Sequence, residues 1–158
     1  SRVFVAGFHT ERAMAHLFDH QLQYLRDGVQ LLDLDGGHFA ELFATDVTET
    51  ALVLFEARRY SRLARLVARE ATDLGVPVTL VTDAFCDWGH GLVSELFVVP
   101  TEFNLFWDST AQMASLVNLF MNAVSIEIGP AVEARMTKVS RLYARFTGHT
   151  GDPSGPAT

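Results

Sequence analysis

The sequence predicts an α/β fold, a three-layer sandwich in which a five-stranded parallel sheet lies between layers of helices. Short apolar runs alternate with helical segments from the start of the chain to Pro100, which is typical of a parallel sheet with right-handed crossovers. The apolar runs are nearly continuous, as expected for strands that are buried on both faces. Hydrophobic residues form 49% of the 158 residues, so the chain can build the core of one domain.

Each predicted strand is a short run rich in β-branched and aromatic residues, bounded by turn or helix signals. The five runs are Val3–Ala6, Val29–Asp33, Ala51–Phe55, Val78–Val81 and Leu96–Val99. We expect them to lie in the order 2-1-3-4-5, which is the order of flavodoxin-like sheets.

Strict alternation places a helix in each of the four connections between strands. The first is predicted over Glu11–Asp27, between Thr10 as its N-cap and Gly28 as its end. A short helix over Phe39–Ala44 follows a pair of glycines. A third helix, Ser61–Leu74, ends at a glycine that is closely followed by a proline.

Two further helices are predicted near the C-terminus, over Asp108–Ile128 and Ala131–Phe146. The first carries more apolar residues than one face of a sheet needs, so either it is a central core helix or part of it buries against a second copy. Polar residues interrupt its apolar run, which is barely long enough for the ~20 residues of a membrane span. Residues 148–158 are rich in Gly, Pro, Ser and Thr, so we expect a disordered tail after a domain of residues 1–147.

The charge and cysteine content exclude several classes of protein. Lys and Arg number 12 against 19 Asp and Glu, a net charge of -7, which argues against direct nucleic-acid binding by this chain. The single cysteine, Cys86, excludes an intrachain disulfide and a thiolate zinc cage and suits a reducing cytosol. We therefore expect a cytoplasmic protein without a membrane anchor, and we predict neither a metal site nor a cofactor.

The predicted strand order also places the ligand site. Ligands of open parallel sheets bind beyond the carboxyl ends of the strands, where the strand order reverses. Here that point lies between the first and third strands, where the loops of residues 7–10 and 56–61 meet. Both loops run into helices, whose free N–H groups favour an anion. The first loop contains His9 and Thr10, while Thr82 and Asp83, after the fourth strand, either line the same crevice or cap local turns.

Arginine is concentrated in the second loop and in the helix that follows it. Five of the eleven arginines fall within twelve residues, at positions 58, 59, 62, 65 and 69. Arg65 and Arg69 lie beyond the first turn and are predicted to belong to a solvated helix face. Arg58 and Arg59 precede the helix, and their forked donors suit a phosphate or a carboxylate. The loop therefore predicts a site for a small anionic metabolite.

Four segments follow predicted strands: Gly7-Phe8-His9-Thr10, Arg58-Arg59-Tyr60-Ser61-Arg62, Val81-Thr82-Asp83 and Val98-Val99-Pro100. Together they resemble the sugar isomerase (SIS) domain of RpiR-type transcriptional regulators, over about residues 2 to 146. The resemblance implies that the effector is a sugar phosphate or a related metabolite. It also implies a homodimer, and DNA binding through an N-terminal helix-turn-helix domain that is not in this chain. The abrupt start in a strand fits a piece of such a longer protein.

We expect the following roles for the candidate residues. Thr10 and Ser61 donate hydroxyl groups, Arg58 and Arg59 neutralise the anion, and Thr82 or Asp83 lines the wall. His9 takes the place of a small residue and crowds the first loop.

The second loop departs from the family pattern Ser-x-Ser-Gly-x-Thr. Glu56 stands at the first serine, the two arginines stand at the second serine and the glycine, and Ser61 keeps the last hydroxyl. A glutamate that faces a phosphate is repulsive unless an arginine neutralises it. In one alternative, Glu56 contacts a sugar hydroxyl or an amine while the arginines hold the anion. In the other, the crevice has lost phosphate binding and Glu56 pairs with Arg58.

Two other functions remain open at this point. A sugar-phosphate isomerase needs a general base and a proton partner, for which Glu11, Glu56 and His9 are available. A degenerate SIS module that serves only dimerisation needs none of them. We rank both below an effector-binding domain and assign no catalytic residue.

Overall fold

The computed structural model describes residues 1–33, 39–44 and 46–146. Its sheet consists of β1 (Arg2–Gly7), β2 (Val29–Leu31), β3 (Thr50–Phe55), β4 (Val78–Thr82) and β5 (Glu95–Val98). The strands are parallel and lie in the order β2-β1-β3-β4-β5, which confirms the predicted topology. Gly7 is level with Phe55, and Phe55 with Val81, so the carboxyl ends of three central strands meet at one edge.

Five α-helices accompany the sheet. They are α1 (Arg12–Leu25), α2 (Ala40–Ala44), α3 (Arg62–Asp73), α4 (Ala111–Ile128) and α5 (Ala131–Phe146). A 3₁₀ turn, His9–Glu11, precedes α1. The first helix ends earlier than predicted because Arg26 is already extended, and Ser61 stands outside α3 as its N-cap.

The helix expected between β4 and β5 is absent, so the prediction of strict alternation was wrong there: residues 83–94 form turns. The carboxylate of Asp83 accepts a hydrogen bond of 3.1 Å from the N–H of Phe85, which starts a turn at once. Further along, a Cβ on Gly89 would lie 2.8 Å from a methyl group of Leu96, so this connection runs close against the sheet. About a dozen residues suffice for the crossover without a helix.

Alternation along the central strands divides the core into two layers. Leu52 and Leu54 of β3 point to the side that carries α2 and α3. Val53 and Phe55 point to the side that carries α1 and α4, where Phe18 packs against Phe55 with ring centroids 5.6 Å apart. Any residue at an even position just beyond β3 therefore faces α3.

The two C-terminal helices differ in how they pack. Met113 and Val117 of α4 are buried against the sheet, whereas Leu119 and Ile126 on other sides of the helix are 65% and 71% exposed. Helix α5 buries no residue and lies against the end of α1. There the guanidinium of Arg135 donates to main-chain carbonyl oxygens of the last turn, including that of Gln23 at 2.7 Å.

No single helix of residues 1–33, 39–44 and 46–146 is long and apolar enough to cross a membrane. Helices α4 and α5 pass that test only when taken together, and they meet at 113°. Three predicted features lie outside the described residues: the tail of residues 148–158, the end of the domain at residue 147, and the glycine pair before α2.

Candidate functional site

The two loops that were predicted to meet do so at the carboxyl edge of the sheet. The N–H of Phe8 donates to the carbonyl oxygen of Phe55 at 3.1 Å, which joins the first loop to the end of β3. The N–H of Glu56 donates to the carbonyl oxygen of Val81 at 3.1 Å, which joins the second loop to β4. The polar side chains of the loops after β1, β3 and β4 are therefore neighbours.

Glu56 lies in the interior of this site and not at its surface. Its position in the alternation turns it toward α3, and none of the residue is exposed to solvent. Its Oε1 accepts a hydrogen bond of 2.5 Å from the main-chain N–H of Ser61, the N-cap of α3. Its Oε2 has no hydrogen-bond partner in the described part of the chain.

Burial changes the protonation of this carboxyl group. Desolvation, with a smaller contribution from the nearby carboxylates of Glu11 and Asp83, raises the pKa of Glu56 to about 8 against the opposing effect of the Ser61 N–H. A carboxylic acid with this pKa is largely protonated at neutral pH. It can then donate or accept a hydrogen bond, depending on the group that approaches it.

Asp83 holds the second and third loops together. It is buried, and its Oδ2 accepts a hydrogen bond of 2.9 Å from the N–H of Arg58. Its Oδ1 accepts from the N–H of Phe85 and from the hydroxyl of Tyr60. Burial and this carboxylate both raise the pKa of Tyr60. Of the two roles that the sequence left open for Asp83, the structure supports the turn-forming role.

Arg58 does not pair with Glu56. Its guanidinium forms a salt bridge with Glu102 and lies 3.6 Å from the carboxylate of Asp108, both in the segment that connects β5 to α4. It also lies 4.1 Å above the ring of Phe85. Arg58 thus fastens the β5–α4 segment over the crevice, a role that the sequence did not indicate because its partners are distant in the chain.

The rim of the crevice has a constrained backbone. His9 and Arg59 are exposed and have φ angles of 52° and 73°, in the left-handed region that residues other than glycine rarely adopt. Thr10 is exposed as well, and its hydroxyl donates to Oε1 of Glu11 at 2.8 Å. Glu11 is buried, and no described residue donates to its Oε2. The 3₁₀ turn before α1 therefore holds a buried acid next to the crevice.

The beginning of α3 is capped within the chain. Oγ of Ser61 accepts a hydrogen bond of 3.2 Å from the N–H of Leu63, as an N-cap side chain does. Its hydroxyl hydrogen is still free to donate to a ligand. Arg65 and Arg69 are exposed along the helix, as predicted for a solvated face, and Arg62 is exposed as well.

Two threonines complete the buried polar group. Thr82, at the end of β4, is level with Val98 of β5. Like Glu56, it lies on the side of the sheet that faces α3. Thr82 is fully buried, and no described residue bonds to its Oγ1; the same holds for Oγ1 of the buried Thr101 after β5. Buried polar atoms without partners are unusual in folded proteins and each requires an explanation. No group of three His, Cys, Asp or Glu residues in the described ranges is arranged to hold a metal ion.

The fold and the position of this crevice define the class: the chain has the fold of a sugar isomerase (SIS) domain. The structure of an RpiR transcription factor (sugar isomerase domain) from Sphaerobacter thermophilus is similar with a TM-score of 0.81 and 20% identity, covering 89% of this chain and 79% of that one. This likeness confirms the predicted resemblance at the level of the fold.

Other solved structures share the fold. The NanR protein of Vibrio vulnificus, complexed with ManNAc-6P, matches with a TM-score of 0.78 and 12% identity over 93% of this chain, which spans 56% of the NanR chain. A Methanococcus jannaschii protein, whose structure infers the function of a 3-hexulose-6-phosphate isomerase, matches with a TM-score of 0.59 and 12% identity. That match covers 87% of this chain and 75% of the other. No protein-family model and no curated protein matches the sequence.

Proposed function

We propose that this chain is the effector-binding and dimerisation domain of a cytoplasmic RpiR-type transcriptional regulator, and that its effector is a sugar phosphate or a similar small sugar derivative. One observation carries the proposal. Oε2 of Glu56 and Oγ1 of Thr82 are buried and have no hydrogen-bond partner among the described residues, at the carboxyl edge of a SIS fold where the strand order reverses. Polar atoms in such a place are suited to a polar ligand.

The fold neighbours support a sensor more than an enzyme. One of them is an RpiR transcription factor, and the NanR structure contains ManNAc-6P, a sugar phosphate. If the effector of this chain carries a phosphate, Arg59 is placed to hold it, since it is exposed at the rim and no salt bridge to another described residue engages it. Arg58 reaches such a group only by leaving Glu102 and Asp108.

Dimerisation is proposed from the exposed apolar side chains of the C-terminal helices. Leu119 and Ile126 of α4 and Phe146 of α5 are more than half exposed, and they are large hydrophobic residues. Leu119 and Ile126 are seven positions apart and so share one face of α4, and large apolar residues that are exposed together favour an interface. A dimer also suits a regulator that reads a two-fold DNA site through helix-turn-helix domains elsewhere in the protein.

An isomerase is the second candidate, and one observation favours it. The pKa of Glu56, about 8, lies near the range in which a general base exchanges protons efficiently at neutral pH. A third candidate is a degenerate module that only dimerises. It is favoured by the fact that Glu56 itself accepts the N–H at the start of α3.

The test is a thermal-shift screen of the protein against sugars, amino sugars, sugar acids and sugar phosphates, with inorganic phosphate as a control. A ligand at a hundred times its Kd stabilises the domain by about 2.7 kcal/mol. A selective shift without turnover is the expected result. Turnover of an aldose phosphate would identify an isomerase instead, and a tight dimer with no ligand would identify the degenerate module.

A double variant, Arg58→Ala with Arg59→Ala, tests the anion contacts. We expect it to lose binding of an anionic effector while it stays folded, because both side chains are largely outside the core. Arg62→Ala with Arg65→Ala removes the same charge from the exposed face of α3 and serves as the control. Unchanged binding in the first variant would contradict these assignments.

A further inference from the structure

The start of α3 already holds an acidic group. Helix N-termini attract anions because their N–H groups lack partners within the helix. Here Oε1 of Glu56 accepts the N–H of Ser61 at 2.5 Å, and Oγ of Ser61 accepts the N–H of Leu63. The chain itself therefore supplies the acceptors that a bound phosphate would otherwise provide.

The surroundings of Glu56 disfavour a second anion. Glu11 and Asp83 are buried close enough for their charges to raise the pKa of Glu56. No salt bridge joins Glu56 to an arginine in the described part of the chain, and Arg58 is directed to Glu102. A phosphate placed here would meet the carboxylates of Glu11 and Asp83, and Arg58 could neutralise its charge only by leaving Glu102.

The unpartnered atoms define what the interior would accept. Oε2 of Glu56 and Oε2 of Glu11 are acceptors when ionised, and Oγ1 of Thr82 both accepts and donates. Glu56 and Thr82 face the same helix from adjacent strands. The protonated Oε2 of Glu56 and Oγ1 of Thr82 can each donate to a phosphate, but the carboxylate Oε2 of Glu11 can only accept. A ligand that satisfies all three atoms must therefore bring hydrogen-bond donors, which a sugar hydroxyl or an ammonium group does and a phosphate dianion does not.

We propose that Glu56 occupies the anion position of this crevice and that the effector is bound through hydroxyl or ammonium donors, so that an unphosphorylated hexose or hexosamine is preferred to its 6-phosphate. This inference rests on the proposed function and narrows the chemistry of the same site. Of the two alternatives that the sequence left open for Glu56, this inference favours contact with a sugar hydroxyl or an amine. Any anionic group of the effector would then bind away from the start of α3.

The first test compares ligands on the unaltered protein. Titration calorimetry with hexoses, hexosamines and their 6-phosphates is expected to give at least tenfold tighter binding for the unphosphorylated member of a pair. If the 6-phosphates bind more tightly, this inference fails and the proposed function stands. If no sugar of either kind binds, both fail.

The second test needs no knowledge of the effector. Glu56→Ser removes the carboxyl group and frees the Ser61 N–H, so inorganic phosphate is expected to bind at least tenfold more tightly than to the unaltered protein. Glu56→Gln keeps the size and an acceptor but not the acid, so it should gain no phosphate affinity and should lose at least tenfold in affinity for an amino sugar that binds the unaltered protein. Glu70→Ser, an exposed charge on the same helix, is the control.

Circular dichroism first verifies that each variant of the second test is folded. Equal phosphate affinity in the unaltered protein and in Glu56→Ser would overturn the assignment of the anion position. A gain of the same size in the Glu70→Ser control would overturn it as well, because the effect would then reflect net charge alone.

Discussion

The carboxylate of Asp83 accepts a hydrogen bond of 2.9 Å from the main-chain N–H of Arg58, and this bond ties the loop after β4 to the loop after β3. The same carboxylate receives the hydroxyl of Tyr60 and the N–H of Phe85. The shape of the crevice therefore depends on one buried side chain that collects three donors.

Replacing Asp83 with Asn should destabilise the domain by about 2 to 4 kcal/mol, because an amide cannot accept all three hydrogen bonds and leaves buried donors unpaired. Denaturant unfolding measures this change. Asp87→Asn alters an exposed acid four residues away and should change the free energy of unfolding by less than about 0.5 kcal/mol. Equal effects of the two substitutions would argue against the network.

The free energy of unfolding should fall as the pH rises, because of Glu56. Its pKa is raised from the usual 4.5 to about 8, so between these values the folded state holds a proton that the unfolded state has released. Each pH unit in this window should cost up to about 1.4 kcal/mol, and the loss should stop above the folded pKa. Glu56→Gln should flatten the profile, whereas Glu70→Gln should leave it unchanged. A profile that is equally steep in Glu56→Gln would contradict the pKa.

Arg58→Ala should release the segment that connects β5 to α4. Its contacts with Glu102 and Asp108 are partly exposed, so the global cost should stay below about 1 kcal/mol. Hydrogen exchange should nevertheless accelerate locally, notably at the N–H of Ser109, which donates to the carbonyl oxygen of Thr101 at 2.8 Å. Arg62→Ala is the control on the neighbouring helix. Unchanged exchange in this segment would show that Arg58 does not fasten it.

Gly7→Ala should be strongly destabilising because α1 approaches β1 too closely for a side chain. A Cβ at this position would lie 2.6 Å from the carbonyl oxygen of Glu11 and 2.7 Å from Cα of Arg12, which are backbone atoms that cannot move alone. We expect a loss of about 3 kcal/mol or more. At Gly75 a Cβ would meet no atom within 4 Å, but the φ angle of 82° disfavours a side chain, so Gly75→Ala should cost only about 1 kcal/mol. Comparing the two variants separates the effect of steric overlap from that of backbone strain. Similar losses in both would contradict the close approach.

The proposed dimer predicts that Leu119→Glu with Ile126→Glu produces a folded monomer. Both side chains are exposed on α4, so charges there should not disturb the core but should disrupt an apolar interface. Light scattering coupled to gel filtration measures the mass. Leu66→Glu, on the exposed face of α3, should leave the dimer intact. A monomeric unaltered protein would contradict the dimer directly.

The strands and helices were largely predictable from the sequence because periodicity and helix caps report local structure. The strand order was also correct, since the alternating pattern permits few topologies. The connection from Asp83 to Ser94 was missed because its turns depend on contacts with the sheet, such as the tight packing at Gly89, that no local pattern records.

The meeting of the two loops was predictable, whereas their internal contacts were not, and the ligand site itself stays a prediction. The two loops were correctly located, because the switch point follows from the strand order. The partners of Arg58 could not be inferred, since Glu102 and Asp108 lie more than forty residues away in the sequence. The burial of Glu11 was also missed, because a short 3₁₀ turn precedes the helix and rotates this residue inward.

The hydrogen bond between Glu56 and Ser61 has a consequence for selectivity against small ions. The two residues are five positions apart in one chain, so the carboxyl group meets this N–H at an effective concentration in the millimolar range or above. A dissolved anion must therefore compete for the Ser61 N–H with a carboxyl group that belongs to the same chain. If Glu56 occupies the anion position as proposed, buffer phosphate or sulfate should therefore bind only weakly at this N–H.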